Sequence, residues 1–151
     1  MAASEESWKD TYKYFGPRST PEAIRLHAQH DICRSALGGK LIHAPIDLSR
    51  PNLRILDSAT SDGYFLYDLA RTELGDPGSA TLIGTDINEF PEIQDLPPNI
   101  KLVKQNMMED WPADWLGTFD IVQQKNAVVH VGTIEEATKT MRRLSGKATE
   151  A

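Results

Sequence analysis

Two apolar runs that each end on an aspartate constrain the fold of this chain more than any other feature. Residues 53–57 read LRILD, and residues 82–86 read LIGTD. Between them, the small-residue turn 58–63 leads into a segment that contains Phe65, Leu66 and Leu69. Because parallel strands need a crossover connection, usually a helix, this order is typical of a parallel sheet. The sequence therefore predicts an α/β fold.

The same alternation continues along the chain. One helix is expected over residues 20–37, since Thr20 is a cap residue, Pro21 suits the first helical position, and two glycines follow. A second helix of about ten residues is expected to begin near Asp62. Further strands are predicted at residues 81–85, 100–104 (an edge position, from its alternation of apolar and basic residues) and 119–123. A capping box at Thr133 predicts a last helix. Residues 1–19 are expected to form an extended arm, and residues 20–151 are expected to form a single domain.

Composition excludes several classes of partner. The formal net charge of −6 and the isoelectric point near 5.2 argue against nucleic-acid binding, which needs clustered basic residues. The single cysteine, Cys33, cannot form an internal disulfide and is expected to be a buried, inert thiol. No apolar run reaches the length of a membrane span and no signal peptide is recognisable, so a cytoplasmic protein is expected.

The acids that end the two strands predict a site for a cofactor that carries adenosine. A tight turn before a helix brings backbone N–H groups close to a ligand, and the carboxylate of Asp86 can accept hydrogen bonds from a ribose diol. A dinucleotide is disfavoured, because Ala59 and Ser61 stand where such a site has glycine and only Gly63 remains. The phosphate-binding loop of nucleoside triphosphatases is also absent.

At this point the chain resembles a known family, the class I S-adenosylmethionine-dependent methyltransferases. The resemblance rests first on residues 53–63 (LRILDSATSDG) and 84–88 (GTDIN). Further matches are residues 97–102 (PPNIKL), 109–112 (EDWP) and 119–122 (FDIV). Residues 25–30 (RLHAQH), 38–41 (GGKL) and 44–46 (API) resemble in particular the small-molecule methyltransferases of fungal secondary metabolism.

The resemblance implies a three-layer Rossmann-like fold with a mostly parallel sheet in the order 3-2-1-4, and S-adenosylmethionine as cofactor. It places the methionine moiety against the first turn and the ribose on Asp86, with Ile87 packing on adenine. It also implies that Gln29 and His30 cover the cleft. The cofactor-binding residues it implies are Asp57, Ser58, Ala59, Ser61, Gly63, Asp86, Ile87, Asn106, Met107 and Gln123, which lies beside Gln124 near the sulfonium. No catalytic residue is identified, because a sulfonium is already an activated methyl donor.

Two departures from the family keep other functions open. Ala59 and Ser61 replace glycines at a close backbone approach, so the chain is either an active methyltransferase or a degenerate, non-catalytic binding or assembly module. A pericyclase-type catalyst on the same scaffold is a third possibility. The resemblance also implies that the chain supplies only the first four strands of the family's sheet, which is expected to leave the edge of strand 119–123 open. The expectation is then a homo-oligomer or a partner chain at that edge, unless residues 145–151 fold back over it.

Several other side chains have plainer explanations. His27 and His30 lie one helical turn apart, but no third ligand is spaced to join them, so no metal site is predicted and a helix-surface or cleft-lining position is expected. His130 follows the fourth strand and is either a loop residue or a substrate contact. Trp111 and Trp115 are expected to pack beneath a surface loop.

Overall fold

The computed structural model describes residues 17–91, 95–127 and 133–146. Within these residues the chain forms three α-helices, four strands and one short 3-10 helix. In chain order they are α1 (Thr20–Ala36), β1 (Arg54–Ser58), α2 (Tyr64–Thr72), β2 (Thr81–Asp86), β3 (Ile100–Lys104), the 3-10 helix (Ala113–Trp115), β4 (Ile121–Gln124) and α3 (Ile134–Leu144). His130 and most of the predicted N-terminal arm lie outside the described residues.

The sheet is entirely parallel and has the strand order β3-β2-β1-β4. This confirms the predicted fold and the order 3-2-1-4. The register sets Asp57 of β1 opposite Gly84 of β2 and Gln123 of β4. Because parallel strands end at the same side of the sheet, Asp57, one residue before the end of β1, and Asp86, the last residue of β2, lie at the same edge, with Asp86 two residues further along its strand. As predicted, β3 is an edge strand, and four of its five residues are exposed.

Alternate residues of β1 enter two separate cores, one on each face of the sheet. Ile55 belongs to a core with Leu66 and Leu69 of α2, whereas Leu56 belongs to a core with Phe119, before β4, and Leu144 of α3. Helices therefore cover both faces, which confirms the three-layer arrangement. Trp111 is buried in the second core, and its ring stacks on that of Trp115 at 6.2 Å, as the packing prediction required.

The helix ends agree with the sequence signals in most respects. The capping box of α3 is formed, since Thr133 Oγ1 accepts the Glu136 N–H at 3.2 Å and Glu136 Oε2 accepts the Thr133 N–H at 3.1 Å. The prediction for α1 was wrong at its start, because Ser19 is the extended cap residue and Thr20 is already helical. Among the described residues, no helix is both long enough and apolar enough to cross a membrane.

Much of the apolar surface of α1 lies in solvent. Ile24 and Ile32 are 54% and 69% exposed, and Leu37, which follows the helix, is 55% exposed. Cys33 is only half-buried, so the expectation of a buried thiol was wrong. The buried residues of α1 are Glu22, Ala23 and His30. Polar side chains, rather than an apolar face, therefore attach this helix to α2 and to the loop before it.

The fourth strand begins later than predicted, at Ile121 instead of Phe119. Phe119 pairs with the chain that follows α3: it forms a parallel bridge with Ser145, and its carbonyl accepts the Gly146 N–H at 2.7 Å. The chain thus returns along the start of the β4 edge. Within the described residues, no strand pairs with Ile121–Gln124 on the side away from β1.

Candidate functional site

The loop between β1 and α2 has a left-handed backbone at three positions, and two of these positions are occupied by residues other than glycine. Ala59 and Ser61 have φ angles of +59° and +61°, and Gly63, the cap residue of α2, has φ of +84°. The Thr60 N–H donates to the Thr85 carbonyl at 2.9 Å, which ties the loop to β2. Left-handed backbone is costly for residues with a Cβ atom, so this loop stores strain next to the strand ends.

Asp86 links this loop to the end of β2. Its Oδ2 accepts the Ser61 N–H at 3.0 Å and its Oδ1 accepts the Asn88 N–H at 3.3 Å. Burial raises the pKa of Asp86, and the backbone donors oppose that shift. Each carboxylate oxygen can accept more than one hydrogen bond, so both oxygens retain capacity for a ligand.

Asp57 occupies a drier position at the end of β1. It is 3% exposed, and its Oδ2 accepts a hydrogen bond from the Thr60 hydroxyl at 2.7 Å. Burial raises the pKa of this carboxyl to about 7, while Thr60 and the Lys125 ammonium act in the opposite direction. Glycine is required at Gly84, because a Cβ there would lie 2.7 Å from Thr60 Cγ2.

A cavity of about 130 Å³ lies beside Asp86, beyond the ends of the strands. Its apolar lining comes from Leu26, Ile87, Phe90, Met107, Met108 and the two alanines Ala59 and Ala127. Its polar lining comes from Ser61, Asp86, Gln105, Asn106, Lys125 and Asn126. The cavity is therefore mostly apolar, with polar groups that converge from several loops, which is the usual character of a small-molecule site.

A second cavity, of about 100 Å³, adjoins the first across the strained loop. Leu26, Ala59, Ser61, Lys125 and Asn126 line both cavities. The second cavity adds Asp57, Asp62, Tyr64 and three residues of α1, namely His27, Gln29 and His30. The two cavities form one cleft with an acid at each end and with α1 as a wall.

The structure brings most of the predicted cofactor-binding residues to this cleft. Those that line it are Asp57, Ala59, Ser61, Asp86, Ile87, Asn106 and Met107. The other three lie near it without lining it: Ser58 is the buried last residue of β1, Gly63 caps α2, and Gln123 lies within β4. Their roles remain predictions. Sequence reasoning missed Phe90, Lys125 and Asn126, which follow strands at positions that carry no recognisable pattern.

Both histidines of α1 pair with aspartates near the start of α2. His27 Nε2 lies 2.7 Å from Asp62 Oδ2, and His30 Nε2 lies 2.9 Å from Asp68 Oδ2. His30, Asp31 and Asp68 are close enough to suggest metal ligands, but the Arg34 guanidinium donates to both oxygens of Asp68 at 2.9 Å. A cation already occupies that carboxylate, so the cluster holds α1 against α2.

Comparison with known proteins places this geometry in a family. The chain is 44% identical over 110 residues to "N-methyltransferase tcpN" of Claviceps purpurea, an alignment that covers 72% of the chain and 38% of the relative. The chain is homologous to fungal N-methyltransferases. The chain is also 40% identical to "N-methyltransferase gliN" of Aspergillus fumigatus, in an alignment that covers 73% of the chain. It is 44% identical to "N-methyltransferase sirN" of Leptosphaeria maculans, in an alignment that covers 69% of the chain.

The chain spans less than half of these relatives, since it covers 37% of gliN and 35% of sirN. Among solved structures, the CMeT domain of the citrinin polyketide synthase superposes with a TM-score of 0.48 at 16% identity, covering 63% of this chain and 26% of that one. No protein-family model matches the sequence. The resemblance predicted from residues 53–63 and 84–88 is confirmed by the fungal N-methyltransferase homologues.

Proposed function

We propose that this chain binds S-adenosylmethionine and serves methyl transfer to a nitrogen atom of a small fungal metabolite. Asp86 carries the proposal. It ends β2, accepts the Ser61 N–H of the neighbouring loop, and borders an apolar cavity of about 130 Å³. A carboxylate in this position suits a ribose diol, and the apolar lining suits the adenine ring. The printed names of the relatives support nitrogen as the methyl acceptor.

The residues of the cleft fit the cofactor in two further respects. Ser61 Oγ is buried at the boundary between the two cavities and has no hydrogen-bond partner among the described residues, so a polar ligand atom there would satisfy it. Asp57, in the second cavity, offers a negative charge to the ammonium group of the methionine moiety once it is ionised. The two acids therefore suit the two polar ends of one elongated molecule.

The bound cofactor would supply a methyl group that its sulfonium already activates for transfer. The work left to the protein is to bind, orient and exclude water. Asp86 would hold the ribose, Ile87 and Met107 would pack on adenine, and the strained loop would approach the methionine end. Positioning of this kind supplies much of the rate of a two-substrate reaction.

A non-catalytic binding module is the second candidate, and the backbone of the loop favours it. Ala59 and Ser61 hold left-handed conformations that glycine would adopt without strain, and their side chains lie where the backbone would approach the cofactor, which is expected to lower cofactor affinity. A pericyclase-type catalyst would also bind the cofactor but would not transfer its methyl group. The chain spans 38% or less of the three relatives, so the activity of a whole enzyme is itself part of the proposal.

We also propose that a further strand, from a second copy or from another chain, adds to β4. The parallel bridge between Phe119, which precedes β4, and Ser145 supports this proposal, since it lies at the start of the same edge. An unpaired strand edge is a template for such addition. Sedimentation over a range of protein concentrations tests the proposal: a mass that rises with concentration supports it, and a monomer at high concentration with protected amides in Ile121–Gln124 contradicts it.

The single cysteine supports a cytoplasmic setting.

Calorimetric titration with S-adenosylmethionine and with its demethylated product, S-adenosylhomocysteine, tests the proposed function. Wild-type protein should bind both, and Asp86→Asn should bind at least tenfold more weakly, because a charged hydrogen-bond acceptor is lost. Asp114→Asn, an exposed carboxylate in the 3-10 helix, is the matched control and should bind as wild type does. Absence of binding at millimolar concentration would remove the proposal. Binding without methyl transfer to any amine would favour the module or the pericyclase.

A further inference from the structure

We propose that His27 and Asp62 form a latch that holds α1 closed over the cleft and sets how long a ligand stays bound. The contact that holds α1 closed is formed by the protein without a ligand, so this part of the proposal does not depend on the proposed function. The effect on a nucleoside ligand rests on the function proposed above.

The position of α1 makes it a wall of the whole cleft. Leu26 lines both cavities, and His27, Gln29 and His30 line the second. A ligand that fills the two cavities would therefore lie against this helix. Release on this side requires the helix to move.

Polar contacts attach α1 to the rest of the protein, and such contacts can be exchanged for water. Its apolar residues Ile24 and Ile32 are 54% and 69% exposed, so the helix buries little apolar surface. Its contacts with α2 and the loop before it include the pairs of His27 with Asp62 and of His30 and Arg34 with Asp68. A fourth contact joins the Tyr64 hydroxyl to Asp31 Oδ1 at 3.3 Å. Elements held in this way open at a lower free energy than those packed into the core.

The His27 pair is the contact that couples α1 to the ligand-facing loop. Asp62 directly follows Ser61, its side chain is 1% exposed, and its Oδ1 also accepts the Tyr64 N–H at 3.3 Å. The His27 ring stacks on the Tyr64 ring with centroids 3.7 Å apart and planes 11° apart. One histidine thus contacts both the loop and the first residue of α2. The Asp68 pairs lie further along α2.

Amide hydrogen exchange of the ligand-free protein tests the latch directly. In His27→Ala the amides of α1 should exchange about tenfold faster, because a charge-assisted hydrogen bond and a ring stack are lost. Alanine is the best helix former, so faster exchange would report undocking and not loss of intrinsic helix stability. Ile32→Ala, an exposed change in the same helix, is the matched control and should exchange as wild type does. Equal exchange in His27→Ala and Ile32→Ala would overturn the proposal.

The dissociation rate of S-adenosylhomocysteine, measured by stopped-flow displacement, tests the consequence for binding. His27→Ala should release the ligand about tenfold faster than Ile32→Ala, with an association rate that is unchanged or higher. Faster exchange together with no binding in any variant would support the latch and reject the proposed function. Faster exchange with unchanged dissociation would reject the role of the latch in residence while leaving the proposed function intact.

Discussion

The two walls of the cleft are built by different physics. The sheet wall places Asp57 and Asp86 by strand register, above two apolar cores that contain Ile55 and Leu56. The helix wall, α1, exposes its apolar residues and attaches through histidine, arginine and aspartate side chains. Apolar burial is worth more than exchangeable polar contacts, so the sheet wall should be rigid and the helix wall removable.

The largest expected effect separates the two walls by stability. Leu66→Ala, in the core beneath the sheet wall, should lower the free energy of unfolding by about 2–5 kcal/mol, because it leaves a cavity at a fully buried position. Ile32→Ala, on the helix wall, should change it by less than about 0.5 kcal/mol. Denaturant unfolding followed by circular dichroism measures both. Comparable losses would show that α1 is part of the core after all.

The second prediction concerns the charge buried in the sheet wall. The pKa of Asp57 is raised from 3.8 to about 7, so the folded state binds a proton that the unfolded state has already released between these pH values. Stability should therefore be highest below pH 3.8 with respect to this group, fall as pH rises towards 7, and stay low above it. Asp57→Asn should remove that dependence and raise the free energy of unfolding at pH 8 by about 2–4 kcal/mol.

Thermal unfolding between pH 5 and pH 8 compares the two proteins, with Asp114→Asn as an exposed control. Parallel pH profiles for wild type and Asp57→Asn would contradict the prediction, because they would show that the pKa of this carboxyl is the same in the folded and unfolded states. If the proposed function is correct, Asp57→Asn should bind S-adenosylmethionine more weakly even as it gains stability. The same buried charge would then account for both results.

The smallest expected effects come from the strained loop of the sheet wall. Ala59→Gly should stabilise the protein by about 1 kcal/mol, because glycine adopts a φ of +59° without strain. Ser61→Gly should stabilise at least as much, since it also removes a buried hydroxyl that lacks a partner. Ala70→Gly, inside α2, is the control of opposite sign and should destabilise by about 1 kcal/mol or more. Chemical denaturation resolves these differences, and a loss of stability in Ala59→Gly would mean that the loop is relaxed.

The difference between the walls also explains what could be predicted from the sequence. Apolar runs and turns located β1 and β2, and the acids that end them gave Asp57 and Asp86, because local patterns specify local structure. The capping box at Thr133 was found for the same reason. The strand order came from the resemblance to methyltransferases and not from the residues.

The helix wall escaped prediction because its attachment is not local. His27 and Asp62 are 35 residues apart, and nothing in either sequence context signals the pair. The cap, proline and glycine signals at the ends of α1 indicated a helix correctly, but such local signals do not reveal what the helix contacts. Lys125 and Asn126 reach the cleft only because β4 lies next to β1, a fact of topology rather than of composition.

The central claim is that both walls contact a single ligand. Amide hydrogen exchange with and without saturating S-adenosylhomocysteine tests it most directly, because it reads the loop 57–63 and the helix Thr20–Ala36 in one experiment. We predict that the ligand slows exchange in both segments and leaves the 3-10 helix Ala113–Trp115, which lines neither cavity, unchanged. Protection of neither segment, or of α1 without the loop that carries Ser61, would contradict the account.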